Sequence, residues 1–145
     1  MQNNDESVEQ VRRAKARYAR YVDTKNWDGL AALLDPGLKF TAYDPAGAIL
    51  HEFEDSASFV AAVREALDGA QSIHQLHNGE IDLVSPSEIS AIWSMEDMII
   101  FAPGREGPRR MHGYGHYHEL WRRGPSGWRL AEVDLRRTIL EFLDN

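Results

Sequence analysis

Apolar residues recur at helical spacing in the first half of the chain and alternate with polar ones in the second. Val8, Val11, Ala14, Tyr18 and Tyr21 or Val22 form one stripe. That spacing predicts an amphipathic helix from about Asp5 to Val22. Arg12, Arg13, Lys15, Arg17 and Arg20 fill much of the rest, and Ser7 with Gln10 reads as a capping box one turn inside an acidic start. A second short helix follows "DTKN", with Asn26 as N-cap, Trp27, Leu30, Leu33 and Leu34 as its stripe, and Pro36-Gly37 as its stop. "LKFTAY" alternates as a strand does, before the turn "DPAG" and a short strand near "AILHEF". Asp55 or Ser56 caps a third helix with Phe59, Val63, Ala66 and Leu67 on its apolar face, ended by Asp68-Gly69.

After Gln71 the pattern changes. Four long strand-like stretches run from Ser72 to Val84, Glu88 to Phe101, Arg109 to Arg122 and Trp128 to about Phe142. The separators "SPS", "APGREGP" and "RGPSG" are hairpin-sized and rich in turn residues. An antiparallel meander is expected, and with it an α+β domain whose three helices pack on one face of a curved sheet. No repeat or linker divides the chain, so residues 1–145 read as one domain.

Composition narrows the class. The chain is 43% hydrophobic and 27% charged, as in a soluble globular protein. No apolar run reaches the ~18 residues of a membrane span, and "MQNNDESVEQ" carries no signal-peptide stretch; a cytoplasmic location is expected. There is no cysteine, which excludes disulfides and thiolate metal sites. A net charge of -7 argues against nucleic-acid binding, and "RRAKARYAR" reads as a solvated helix face. With no dinucleotide-type glycine motif and no histidine pair at helical i, i+4 spacing around a glutamate, neither an organic cofactor nor a metal is expected.

The stretches "RYARYVDTKNWDGLAALLDP", "SIHQLHNGEI", "IWSMEDM" and "HGYGHYHELW…GWRL" resemble the SnoaL-like proteins of the nuclear transport factor two-like superfamily. The resemblance covers nearly the whole chain. It implies a cystatin-like, cone-shaped α+β barrel around one pocket. The nearest likeness is to the branch of scytalone dehydratase, bile acid 7α-dehydratase and hexachlorocyclohexane dehydrochlorinase. Those enzymes use an Asp–His pair as the base in elimination, often with a tyrosine, and no metal. Carried over, the tyrosine falls on Tyr18, the aspartate on Asp23, the histidine on His74, a second acid on Asp97 and a basic position on Arg137. The superfamily commonly forms homo-oligomers, so a homodimer is expected, with exposed-looking Trp121 and Trp128 at its interface.

The residues can also be read on their own chemistry. A neutral imidazole at His74 suits proton removal near pH 7, and a carboxylate on its other nitrogen would fix the tautomer. Asp23 lies ~140° around a helix from Tyr18, so both face one pocket only if the helix ends before Asp23. His77 points away from His74 on an unbroken strand, unless a bulge near Gly79 rephases it. Asp97 shares a strand face with Trp93 and Met95, and Arg137 could pair with it. Tyr43 is a second hydroxyl candidate. In "MHGYGHYHEL", His112, Tyr114, His116 and His118 share one face. They spread over ~20 Å, too far for one ion to use all of them. That face is read as a polar, aromatic pocket wall or a packing face, with Tyr114 and His116 against the substrate, and the glycines as points of close approach. The expected function is a cofactor-independent lyase, or a related isomerase, acting on a small hydrophobic polycyclic or aromatic molecule. A non-catalytic binding or assembly module on the same fold is the alternative.

Overall fold

A computed structural model describes residues 3–144 of the chain. Helix α1 (Asn4–Asp23) opens on Asn3, whose side chain accepts from the Glu6 amide. The N-cap is therefore Asn3, and Ser7 is a buried residue inside the helix. The helix also includes Asp23, contrary to the earlier end expected from facing Tyr18 and Asp23 to one pocket. Helix α2 (Trp27–Ala32) starts at Asn26 as expected, its side chain accepting from the Gly29 amide. It stops short of Pro36, because the Leu33 carbonyl accepts from Leu130 and draws the chain into the sheet. Strand β1 (Leu34–Tyr43) thus contains Pro36 and Gly37, taken up where its register on the neighbouring strand shifts.

Strand β2 (Ile49–Phe53) precedes helix α3 (Ser56–Ala66), which Asp55 caps. Four long strands then form the meander: β3 (Gln71–Ser85), β4 (Glu88–Ile100), β5 (Arg110–Gly124) and β6 (Gly127–Leu143). The sheet order is β2-β1-β6-β5-β4-β3. All neighbours are antiparallel except β1 and β6, which run parallel. The sheet is mixed and open, with β2 and β3 at its edges, so the barrel does not close.

The helices cover one face, α1 lying on β3 and α3 on β1. Residues of period two fill that face: Ile89, Ala91, Trp93 and Met95 from β4, Tyr117 and Trp121 from β5, and from β6 Leu130 and Val133, on either side of a register shift that breaks the alternation there. Trp121 and Trp128 belong to this interior, 0% and 7% exposed, so neither is available to a dimer interface. Among the described residues no helix is long and apolar enough to cross a membrane.

Candidate active site

The sheet and helices enclose a cavity of about 330 Å³. Phe40, Phe53, Phe59, Val63, Ile99 and Leu135 supply much of its apolar wall. Buried Tyr18, Asp97 and Tyr117 mark its closed end, and exposed Leu50, His51, Arg105 and Phe142 its open one.

His74 enters from β3. His74 faces the cavity and His77 the opposite side, 3.7 Å from Glu96, as plain strand alternation requires; the register shift between Leu76 and Gly79 does not bring them to one face. Asp23, the last residue of α1, does not line the cavity; it backs His74. Its Oδ1 lies 2.7 Å from His74 Nδ1, and Oδ2 accepts from the His74 amide at 2.8 Å. The Ser72 hydroxyl donates to the same carboxylate at 3.0 Å. Fixed on two sides, Asp23 favours the tautomer with the proton on Nδ1 and leaves Nε2 as acceptor. Nε2 lies 3.8 Å from Asp97 Oδ2.

Asp97 is buried on β4 and accepts two parallel bonds from Arg137 of β6, at 2.8 and 2.9 Å. Burial works against the Arg137 cation, but its bonds to Asp97 outweigh that and raise its pKa. Gly113 of β5 makes the room: a Cβ there would meet Arg137 Nη1 and lie 2.8 Å from Asp97 Oδ1.

Below this pair, Tyr18 and Tyr117 meet edge to face, with centroids 6.2 Å apart. The ammonium of Lys15 lies over both rings, at 3.7 and 3.6 Å, and 2.6 Å from Glu119. Glu119 also accepts from the indoles of Trp93 and Trp121. Burial pulls the Lys15 pKa down against the pull of Glu119. Burial, then the nearby carboxylates Glu119 and Asp97, keeps the Tyr18 hydroxyl protonated far above its ordinary range. Tyr117 is raised as well, chiefly by burial.

The remaining expected site residues lie elsewhere. Tyr43 stacks under the Arg136 guanidinium, 4.4 Å away. Trp93 and Met95 are buried in the core, away from the cavity; Gly79 leaves the space against which Trp93 packs. Tyr114 and His116 occupy the opposite face of β5, so they do not line the cavity; Met111 and Tyr117 do. On that outer face His112 contacts Glu96 at 2.8 Å, and hydrogen bonds from His112 and then Tyr114 lower the Glu96 pKa. Among the described residues no three histidine or acidic side chains are grouped for a metal ion. Tyr117 and Glu119 were missed from sequence, though they share one strand face with Trp121; Lys15, read within "RRAKARYAR" as part of a solvated helix face, is instead 0% exposed.

The sequence profile of the SnoaL-like domain matches residues 5–134. The probable cyclase FGR4 of Gibberella zeae is 27% identical over 141 residues, covering 92% of each chain. The crystal structure of the Kfla4162 protein from Kribbella flavida has a TM-score of 0.83 at 17% identity, over 96% of this chain and 95% of that one. Hexachlorocyclohexane dehydrochlorinase LinA-type3 from Novosphingobium barchaimii has a TM-score of 0.73 at 14% identity, over 92% and 87%. At these identities the two structures speak for the fold.

Proposed function

The chain belongs to the SnoaL-like domain family, and from that premise we propose that it is a cofactor-independent lyase of the elimination type. Its substrate is a small hydrophobic molecule with a cyclic or aromatic skeleton. The observation that carries the reading is the 2.7 Å contact between Asp23 and His74, on a histidine whose other nitrogen is on the cavity side. A binding-only module needs no such pair.

In this reading Nε2 takes a proton from a carbon next to a carbonyl or leaving group. The C–H electrons form the new double bond, and the leaving group departs with its bonding pair. Asp23 holds the ring and stabilises the imidazolium. Both Asp97 oxygens accept from Arg137, so Asp97 adds negative charge beside the imidazolium and has no proton to give. Tyr18 donates a hydrogen bond to the substrate oxygen or departing hydroxyl. Return of the proton to another carbon would give an isomer by the same parts. Arg137 acts through Asp97. We further propose a cytoplasmic homodimer that works without metal or organic cofactor.

The test is a panel of cyclic β-hydroxy and β-halo ketones, followed by the ultraviolet absorbance of the conjugated alkene. His74→Ala should abolish turnover. Asp23→Asn should cost roughly 10²–10⁴-fold with the fold kept, and the double variant should be no worse than His74→Ala. Tyr18→Phe should cost less than either. Turnover should fall in acid, where the base is already protonated. Near-normal turnover by His74→Ala would reject the Asp–His base.

A further inference from the structure

We propose that Arg105 makes this cavity a site for anionic amphiphiles, an apolar ring body with anionic oxygens on the end that faces the mouth. The inference builds on the small-hydrophobic-ligand reading of the same cavity and narrows its substrate class.

The charges lining the cavity are unequally matched. At the closed end Arg137 and Asp97 neutralise each other through two bonds, and His74 leans on Asp23. At the mouth stands Arg105, on the loop between β4 and β5. Among the described residues no carboxylate forms an ion pair with it. Its guanidinium is nevertheless held in place. Nη1 donates to the Ala66 carbonyl at 2.8 Å, and the group stacks 4.8 Å from the centroid of Phe101, another lining residue. Ala66 ends α3, and the negative end of a helix dipole favours a cation there. This contact uses one of the five N–H donors of a guanidinium.

A cation that only capped α3 would have no need to line the cavity. Arg105 does both, so its remaining donors are available to a ligand that fills the apolar interior and ends at the mouth. Guanidinium is the side chain best shaped for carboxylate-like oxygens. The chain as a whole carries a charge of -7, which repels anions at long range. An anionic ligand therefore needs a local cation at its point of entry. Arg105 is placed to be that cation and to discriminate between charged and neutral molecules of the same shape.

Two fluorescent probes share one apolar body: 8-anilinonaphthalene-1-sulfonate, an anion, and N-phenyl-1-naphthylamine, neutral. Equilibrium titrations of both are made with the wild type, Arg105→Gln, Arg105→Lys, Arg109→Gln as an exposed arginine off the cavity, and Ala62→Trp to fill the wall. Ala62→Trp should weaken both probes, which locates them. Arg105→Gln should weaken the sulfonate roughly 1.5- to fivefold, the range of an exposed charge contact, and leave the neutral probe unchanged. Arg105→Lys should recover part of that loss, and Arg109→Gln should change neither. The proposal is overturned by sulfonate affinity that is unchanged in Arg105→Gln, by equal loss of both probes, or by binding indifferent to Ala62→Trp. Only binding is read, so failure here leaves the His74 kinetics standing, and failure of those kinetics leaves this result standing.

Discussion

Lys15 and Glu119 are both 0% exposed in their side chains, and neither charge can be removed alone without cost. Taking one member from a buried ion pair leaves the other uncompensated, typically at about 3–5 kcal/mol. Lys15→Met should lower stability by that order in urea denaturation. Adding Glu119→Gln should recover much of the loss, because the amide oxygen still accepts from Trp93 and Trp121. Additive losses would show that the pair does not interact as drawn. A second test falls on Gly113. Gly113→Ala pushes a methyl into the Asp97–Arg137 pair, so turnover should fall with the fold kept, and normal turnover would remove that pair from the mechanism. Both sites show what side-chain identity revealed. Tyr18, His74, Asp97 and Arg137 were legible from resemblance, and all line the cavity, with Asp23 behind His74. Tyr114 and His116 were grouped correctly by strand parity but assigned to the wrong face. Parity says which residues share a side, not which side the helices cover. The glycines were read as points of close approach, and at Gly113 the group that approaches is Arg137 from another strand.

Elements announced themselves through turn chemistry and lost definition where the sheet overrode it. The four long strands came out within two residues of their expected ends, since Gly-, Pro- and Ser-rich loops bound each of them. The boundary of α2 was misplaced, because Pro36 and Gly37 read as a helix stop and instead lie within β1. Nothing in the local pattern told that β1 runs parallel to β6, as pairing across so many residues depends on tertiary packing. The cap of α3 carries a prediction of its own. Asp55 accepts from the Ser58 amide at 2.7 Å, and that bond holds its pKa below the ordinary carboxylate value. A depressed carboxylate contributes stability above its unfolded pKa and loses it as pH falls through the folded one. Asp55→Asn keeps an N-cap acceptor and should flatten this acid limb of thermal stability while changing little at neutral pH. Asp55→Ala should lower the melting temperature at neutral pH as well. An unaltered acid limb in Asp55→Asn would assign it to other carboxylates.

At the scale of the molecule the helices leave one sheet face uncovered. Tyr114, 37% exposed, stands beside Ile139 there, with Ile73 also exposed. The tryptophans expected at a dimer interface are spent on the core, and the uncovered sheet face is the surface we assign to self-association in their place. Together with Leu143, which shares the face of Ile139 on β6, these few apolar side chains are too small by themselves for the roughly 800 Å² per partner that a standard interface buries. The polar neighbours on the same strands, His77, Glu96, His112 and His116, must therefore be part of it. A homodimer built this way should sediment at twice the 16.5 kDa chain mass at micromolar concentration. Ile139→Glu should return it to the single-chain mass without touching the cavity, since Ile139 does not line it. Only 16.5 kDa species for the wild type would reject the dimer, and a dimer that survives Ile139→Glu would move the interface to another surface.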